Sequence, residues 1–197
     1  MNASTRVPAA EITGFTGGLM KMASRKMIGQ VPDSLGVLWH HRRVLQDLMG
    51  IGRKSERWGE LDKGLTSLVI MAAAAEIGCS FCLDFNYFMA HDRGLDETKA
   101  REVPRWRESE GFTPLERRAM AYATAMCQLP VTVTDEMSAE LLDELGAPAL
   151  IELTAKVALM NATARMNIAL GIRSQEFADA CGLPPLAARS GGIGSRA

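Results

Sequence analysis

The chain lacks any apolar run long enough to span a bilayer. Its longest, Leu68 to Ala75, falls far short of the roughly 20 residues a spanning helix needs, so no membrane segment is expected. Charge of one sign is also missing: 22 Lys+Arg against 23 Asp+Glu leave a net charge of −1. Nucleic acid and anionic membrane surfaces favour clustered cations, so neither is expected as a partner. The first thirty residues contain no continuous apolar stretch of the roughly 7–15 residues a secretory signal uses, and a cytoplasmic protein is the expectation. Four cysteines in 197 residues are too few to staple a secreted fold of this size. Period-two alternation is limited to Val131-Thr132-Val133, which leaves no strand pattern of useful length.

What is present is helical punctuation. From Asp33 the apolar positions Val37, Leu38, His41, Val44, Leu45, Leu48 and Met49 recur at spacings of three and four until Gly50 and Gly52, which predicts an amphipathic helix. Residues 61 to 77 are apolar nearly all round and read as a core helix closed by Gly78. A second helix is expected from about Cys79 to Arg93 before Gly94, and a short one capped by Asp96 and broken by Pro104. Thr113-Pro114-Leu115-Glu116 is a capping-box start for a helix to about Gln128. Helices from Thr134 to Gly146 and from Pro148 to Leu170 follow, with a last short one near Ser174. The fold class is therefore all-α, a single-domain helical bundle over 33–186, preceded by a partly helical or flexible segment 1–32 and followed by a tail, 187–197, expected to be disordered. Because the 61–77 helix carries so little polar surface, a homo-oligomer is expected.

Chemistry concentrates at Cys79-Ser80-Phe81-Cys82. At about 100° per residue, Cys79, Cys82 and Asn86 share one face of the helix, whereas His91 points away. A cysteine in the first helical turn gains from unpaired backbone N–H groups that favour thiolate, and an i, i+3 pair has Cα atoms about 5–6 Å apart, within disulfide range. The pair can cycle between dithiol and disulfide, or it can simply pack as two small apolar side chains. A zinc site would need four converging ligands, and His40, His41, His91, Cys127 and Cys181 are too scattered to supply them, so no metal is expected. Cys127 and Cys181 read as packing residues, and Glu76, just before the turn, as a solvated helix-end carboxylate.

The segment LTSLVIMAAAAEIGCSFCLDFNYFMAHDRGLDETKA resembles the carboxymuconolactone decarboxylase superfamily, and within it the alkylhydroperoxidase D-like branch. The likeness in helix order runs from about Asp33 to Leu170. It implies an alkylhydroperoxidase D-like helical bundle, assembly as trimers or hexamers, and a thiol-dependent peroxidase or disulfide reductase with an antioxidant role. Its small-molecule substrate would be a peroxide, its partner a dithiol electron donor, and it would need no cofactor. By resemblance Cys82 is the attacking thiolate and Cys79 the resolving thiol. The branch places a proton-relaying glutamate twelve residues before the first cysteine and a histidine four after the second; here those positions hold Ser67 and Asn86, neither of which can serve as a general base. The alternative is a non-catalytic or redox-sensing oligomer of the same fold. The lactone-decarboxylating lyases are a minor alternative, since that branch generally lacks the cysteine pair.

Overall fold

A computed structural model describes residues 5–188, and among them every regular element is helical. In chain order the elements are α1 (Gly14–Ile28), α2 (Asp33–Leu38), α3 (Arg42–Ser55), α4 (Lys63–Ile77), α5 (Ser80–Asp92), α6 (Glu97–Glu102), α7 (Pro114–Ala125), α8 (Asp135–Leu170) and α9 (Phe177–Ala180). Residues 1–4 and most of the tail, from 189 onward, lie outside the described residues.

The helix ends follow the local chemistry. Gly78 closes α4 at φ 81°, a left-handed turn that glycine adopts without Cβ strain. Thr113 and Glu116 form both bonds of the capping box on α7. At Gly146 the backbone turns to φ 76°, ψ 162°, so α8 is two helical segments meeting at a kink, the second opened by Pro148. The structure departs from the single helix expected over 33–49. A 3₁₀ turn, Trp39–His41, separates α2 from α3, and His41 caps the latter by accepting the Val44 N–H at Nδ1. Gly50 and Gly52 do not end α3, which continues to Ser55.

α4 is the axis of the molecule. It packs against α5, α7 and α8, and Leu68, Val69, Met71, Ala73 and Ala74 have no exposed surface. At about 1.5–3 kcal/mol for each fully buried large side chain, this helix is a main source of stability. Its apolar surface is therefore covered within one chain, which removes the ground on which an oligomer was expected. The large exposed apolar side chains lie elsewhere, at Phe15, Leu19 and Met22 on α1 and at Leu129, Val131 and Ile151.

One close backbone approach ties the N-terminal segment to α2. A Cβ on Gly36 would lie 2.8 Å from the Ala9 Cβ, closer than two carbons can pack. Gly36→Ala is expected to lower stability by about 1–3 kcal/mol despite alanine's better helix propensity, as a urea midpoint measures. A midpoint at or above wild type would show that the segment yields freely.

Candidate functional site

Gly78 sets up the site. By turning the chain sharply after α4 it places Cys79 at the N-cap of α5 and Cys82 one turn in. The two are joined as a disulfide with Cα atoms 5.3 Å apart. The backbone N–H of Cys82 donates to the Cys79 sulfur at 3.3 Å, so one of the free donors at the helix start is spent on sulfur. That contact favours a Cys79 thiolate once the bond is reduced.

The Cys82 sulfur has a donor that the sequence reading did not anticipate. Asn167, buried on α8, gives its Nδ2–H to Cys82 Sγ at 3.3 Å. Asn86 lies on the cysteine face but donates to the Cys82 carbonyl at 2.7 Å, not to a sulfur. Ser67 is buried on α4 and its hydroxyl donates to the Lys63 carbonyl one turn back. Glu76 accepts from Gln128 Nε2 at 2.6 Å. The histidines serve elsewhere: His40 meets the Pro8 carbonyl, His41 caps α3, and His91 pairs with Glu97 at the surface. The two sulfurs thus take their hydrogen bonds from a backbone N–H and a carboxamide, groups that do not titrate. Among the described residues no group of His, Cys, Asp and Glu is arranged to hold a metal.

Asp84, two residues past Cys82, is buried and has a different duty. Its Oδ2 accepts from the Ser174 hydroxyl at 2.7 Å and from the N–H groups of Gln175 and Phe177, and its Oδ1 accepts from the Ala178 N–H. Four donors on one carboxylate compensate its burial and hold the 174–178 turn on α5. Phe177 then stands edge-on to Phe81 and Phe85, whose rings are stacked 6.0 Å apart. An acid inside the apolar run FCLDFNYF was a readable signal for a buried carboxylate. Asn167, eighty-five residues from its sulfur, gave none.

Cys127 shares its placement with Cys79 and its kind of donor with Cys82. It follows α7 by two residues, as Cys79 follows α4, and its sulfur accepts the Asn161 amide at 3.3 Å. α8 thus carries one asparagine for the Cys127 sulfur and one for the Cys82 sulfur. Burial pushes the Cys127 thiol above its ordinary 9.0; Asn161 pulls it down, Glu76 pushes it up and Arg165 pulls it down by successively smaller amounts. Because the folded value is raised, the stability this thiol confers is complete below the unfolded value and is lost as pH rises through the folded one. A decline in the urea midpoint above pH 9.0 is expected. In folded, oxidised protein at about pH 8, exposed Cys181 should react with iodoacetamide while Cys127 does not. Equal labelling of the two would contradict this.

Known proteins share the sequence and the fold. The sequence profile of the Carboxymuconolactone decarboxylase family matches residues 43–125. Over 127 residues the chain is 35% identical to the uncharacterized protein YnjA of Escherichia coli (strain K12), covering 64% of this chain and 70% of that protein. The chain belongs to the carboxymuconolactone decarboxylase family. Two solved structures share its fold. One is a peroxidase-related protein with an alkylhydroperoxidase AhpD core from Ralstonia eutropha JMP134, with TM-score 0.77 and 19% identity over 90% of this chain and 96% of that one. The other is the debrominase Bmp8, with TM-score 0.74 and 17% identity over 91% and 96%; a Bmp8 variant has been solved with 2,3,4-tribromopyrrole. This family member thus has the alkylhydroperoxidase D-like fold with its cysteine pair in the first turn of α5. A surface cleft of about 230 Å³, lined by Ala72, Glu76, Pro104, Trp106 and Arg107 among others, includes neither cysteine.

Proposed function

We propose that the protein is a cytoplasmic thiol-dependent peroxidase or disulfide reductase working through Cys79 and Cys82. The observation that carries this reading is the bonded pair at the start of α5 with a separate hydrogen-bond donor on each sulfur. Cys82 is the attacking thiolate, steadied by Asn167. Its sulfur bonds to the distal peroxide oxygen, the O–O bond breaks, and the departing alkoxide takes a proton to leave an alcohol and a Cys82 sulfenic acid. The Cys79 thiolate, favoured by the Cys82 N–H, then attacks that sulfur; the S–S bond forms and hydroxide leaves, protonated to water. Two electrons have passed from the dithiol to the peroxide. An external dithiol returns them by exchange, ending as its own disulfide.

With Ser67 and Asn86 in place of a relay, those two positions supply the proposed peroxidase with no general base, a loss worth about 10²–10⁴-fold in rate. The same two electrons can reach another acceptor. Because the fold is shared with a debrominase, 2,3,4-tribromopyrrole belongs in the assay beside alkyl peroxides. No helix among the described residues is long and apolar enough to cross a membrane. We further propose a homo-oligomer, a trimer or hexamer; light scattering at micromolar concentration giving a monomer mass would rule it out.

The deciding experiment is thiol titration of reduced protein before and after mild peroxide. Loss of two thiols per chain, absent in Cys82→Ser and without intermolecular crosslinks, is the expected result. Retention of all thiols would favour the non-catalytic reading.

A further inference from the structure

The disulfide that the proposed chemistry uses is shut away: Cys79 is 1% and Cys82 4% exposed. Exchange needs an external thiolate to reach a sulfur, so whatever covers the pair decides its rate. Two other stretches of chain share the packed cluster that contains both cysteines, and we take these as its covers. The inner one is Ile172 and Phe177, on the turn that Asp84 holds with four donors. The outer one is the chain before α3, which contributes Val7, Ile28 and Val37.

These covers are fastened very differently. The outer segment is tied to the 168–175 region through the Arg6, Gln30 and Gln175 side chains and one backbone bond. Arg6 donates its N–H to the Leu170 carbonyl at 2.9 Å and its Nη1 to the carbonyls of Ile168 and Ala169 at 2.7 and 2.9 Å. Gln175 accepts from Gln30 Nε2 at its carbonyl and from the Asp33 N–H at Oε1. The Arg6 side chain is exposed, so water competes for its bonds. Among the described residues α1 shares no extended packing interface with another helix, and its Phe15, Leu19 and Met22 face outward. Ile12, Leu35 and Val37 are buried at the two ends of the stretch, but α1 between them buries only Gly17 and Ile28; few buried contacts along α1 and solvent-facing hydrogen bonds mark a segment that opens below the global unfolding energy. The fit is nonetheless close where Arg6 crosses the end of α8. A Cβ on Gly171 would lie 2.9 Å from the Arg6 nitrogen.

We propose that residues 5–38 form a strap that gates the Cys79–Cys82 pair, opening at Arg6 and Gln175 while the Asp84-held turn stays on α5. The strap's meaning rests on the pair being the redox centre, but its test does not need peroxide turnover.

The test is reduction of the full-length oxidised chain by dithiothreitol, followed by quenched alkylation and mass analysis. One thiolate of the reagent bonds to a cysteine sulfur and the Cys79–Cys82 bond breaks, its electron pair leaving on the other sulfur, which takes a proton. The reagent's second thiolate then closes its ring and releases the first sulfur, so two electrons pass to the pair. Wild type should be reduced about 10²-fold more slowly than an unfolded peptide carrying the same Cys-Ser-Phe-Cys sequence. Arg6→Ala should be reduced about tenfold faster than wild type, the size expected for losing a charge-assisted surface contact. Gln175→Ala, which leaves every charge in place, should be accelerated in the same direction and carries the test if Arg6→Ala does not fold. The midpoint potential should stay constant, because a gate changes access and not driving force.

Wild-type rates in both variants overturn the strap, as does a wild-type chain reduced as fast as the peptide. A faster rate that tracks a shifted midpoint also overturns it. If the gate behaves as expected and peroxide is never consumed, the peroxidase reading fails alone.

Discussion

Peroxide turnover by the Ser67→Glu/Asn86→His double variant is expected to exceed wild type by about 10²-fold, the lower end of what a positioned general base supplies. Asn86 is one turn beyond Cys82 and already reaches back to its carbonyl, so an imidazole there is on the correct face to take the thiol proton near pH 7. The single change Asn86→His should give only part of the gain, because nothing holds the ring's tautomer. Ser67→Glu alone should give none and should destabilise, since position 67 is 2% exposed and an unpaired carboxylate there is strongly disfavoured. The family resemblance implies that the two positions act as one relay, so the double variant should exceed the summed free-energy effects of the singles. The measurement is peroxide consumption with a dithiol reductant for wild type, both singles, the double and Cys82→Ser. A double variant no faster than Cys82→Ser would show that peroxide chemistry does not run on this cysteine face.

The largest expected change in stability lies far from the sulfurs. Glu152 on α8 is buried and accepts the N–H groups of Glu60 and Leu61 at 2.7 and 3.2 Å, which pins the chain between α3 and α4. Its other oxygen, without a hydrogen bond of its own, faces Lys156 Nζ at 3.4 Å, and that ammonium donates to the Ser55 carbonyl at the end of α3. Glu152→Ala strands a buried cation and two backbone donors, and about 3–5 kcal/mol should be lost. Glu152→Gln, which keeps an acceptor for the N–H groups, should lose less. The Glu152→Leu/Lys156→Met pair should lie well above Glu152→Ala, because no buried charge is left alone. Urea unfolding of the three proteins decides it, and a loss under about 1 kcal/mol for Glu152→Ala would mean that water reaches the pair.

Local signals made much of the fold legible. Gly78, Gly146, Asp96 and the Thr113–Glu116 box act through their own backbone and neighbours, and each stands where the sequence placed it. The cysteine spacing was legible for the same reason, since helical geometry alone sets the 5.3 Å between the Cα atoms. The break at Trp39–His41 was not, because Trp39 turns inward to pack with Ile12, Leu35 and Leu45, a contact between segments that periodicity cannot report. Asn167 was invisible on the same ground: its partner is fixed by how α8 lies against α5. The apolar surface of α4 is covered by α5, α7 and α8, which counting apolar residues on one helix does not reveal.

The two donors at the sulfurs, a backbone N–H and an asparagine amide, have a consequence for electrochemistry. Neither gains or loses a proton across the working range, so the couple's only exchangeable protons are those of its own thiols. A two-electron, two-proton couple in such surroundings shifts by about 59 mV per pH unit. Its potential plotted against pH should therefore be one straight line, bending only where the first thiol ionises, with no inflection from a neighbouring histidine or carboxylate.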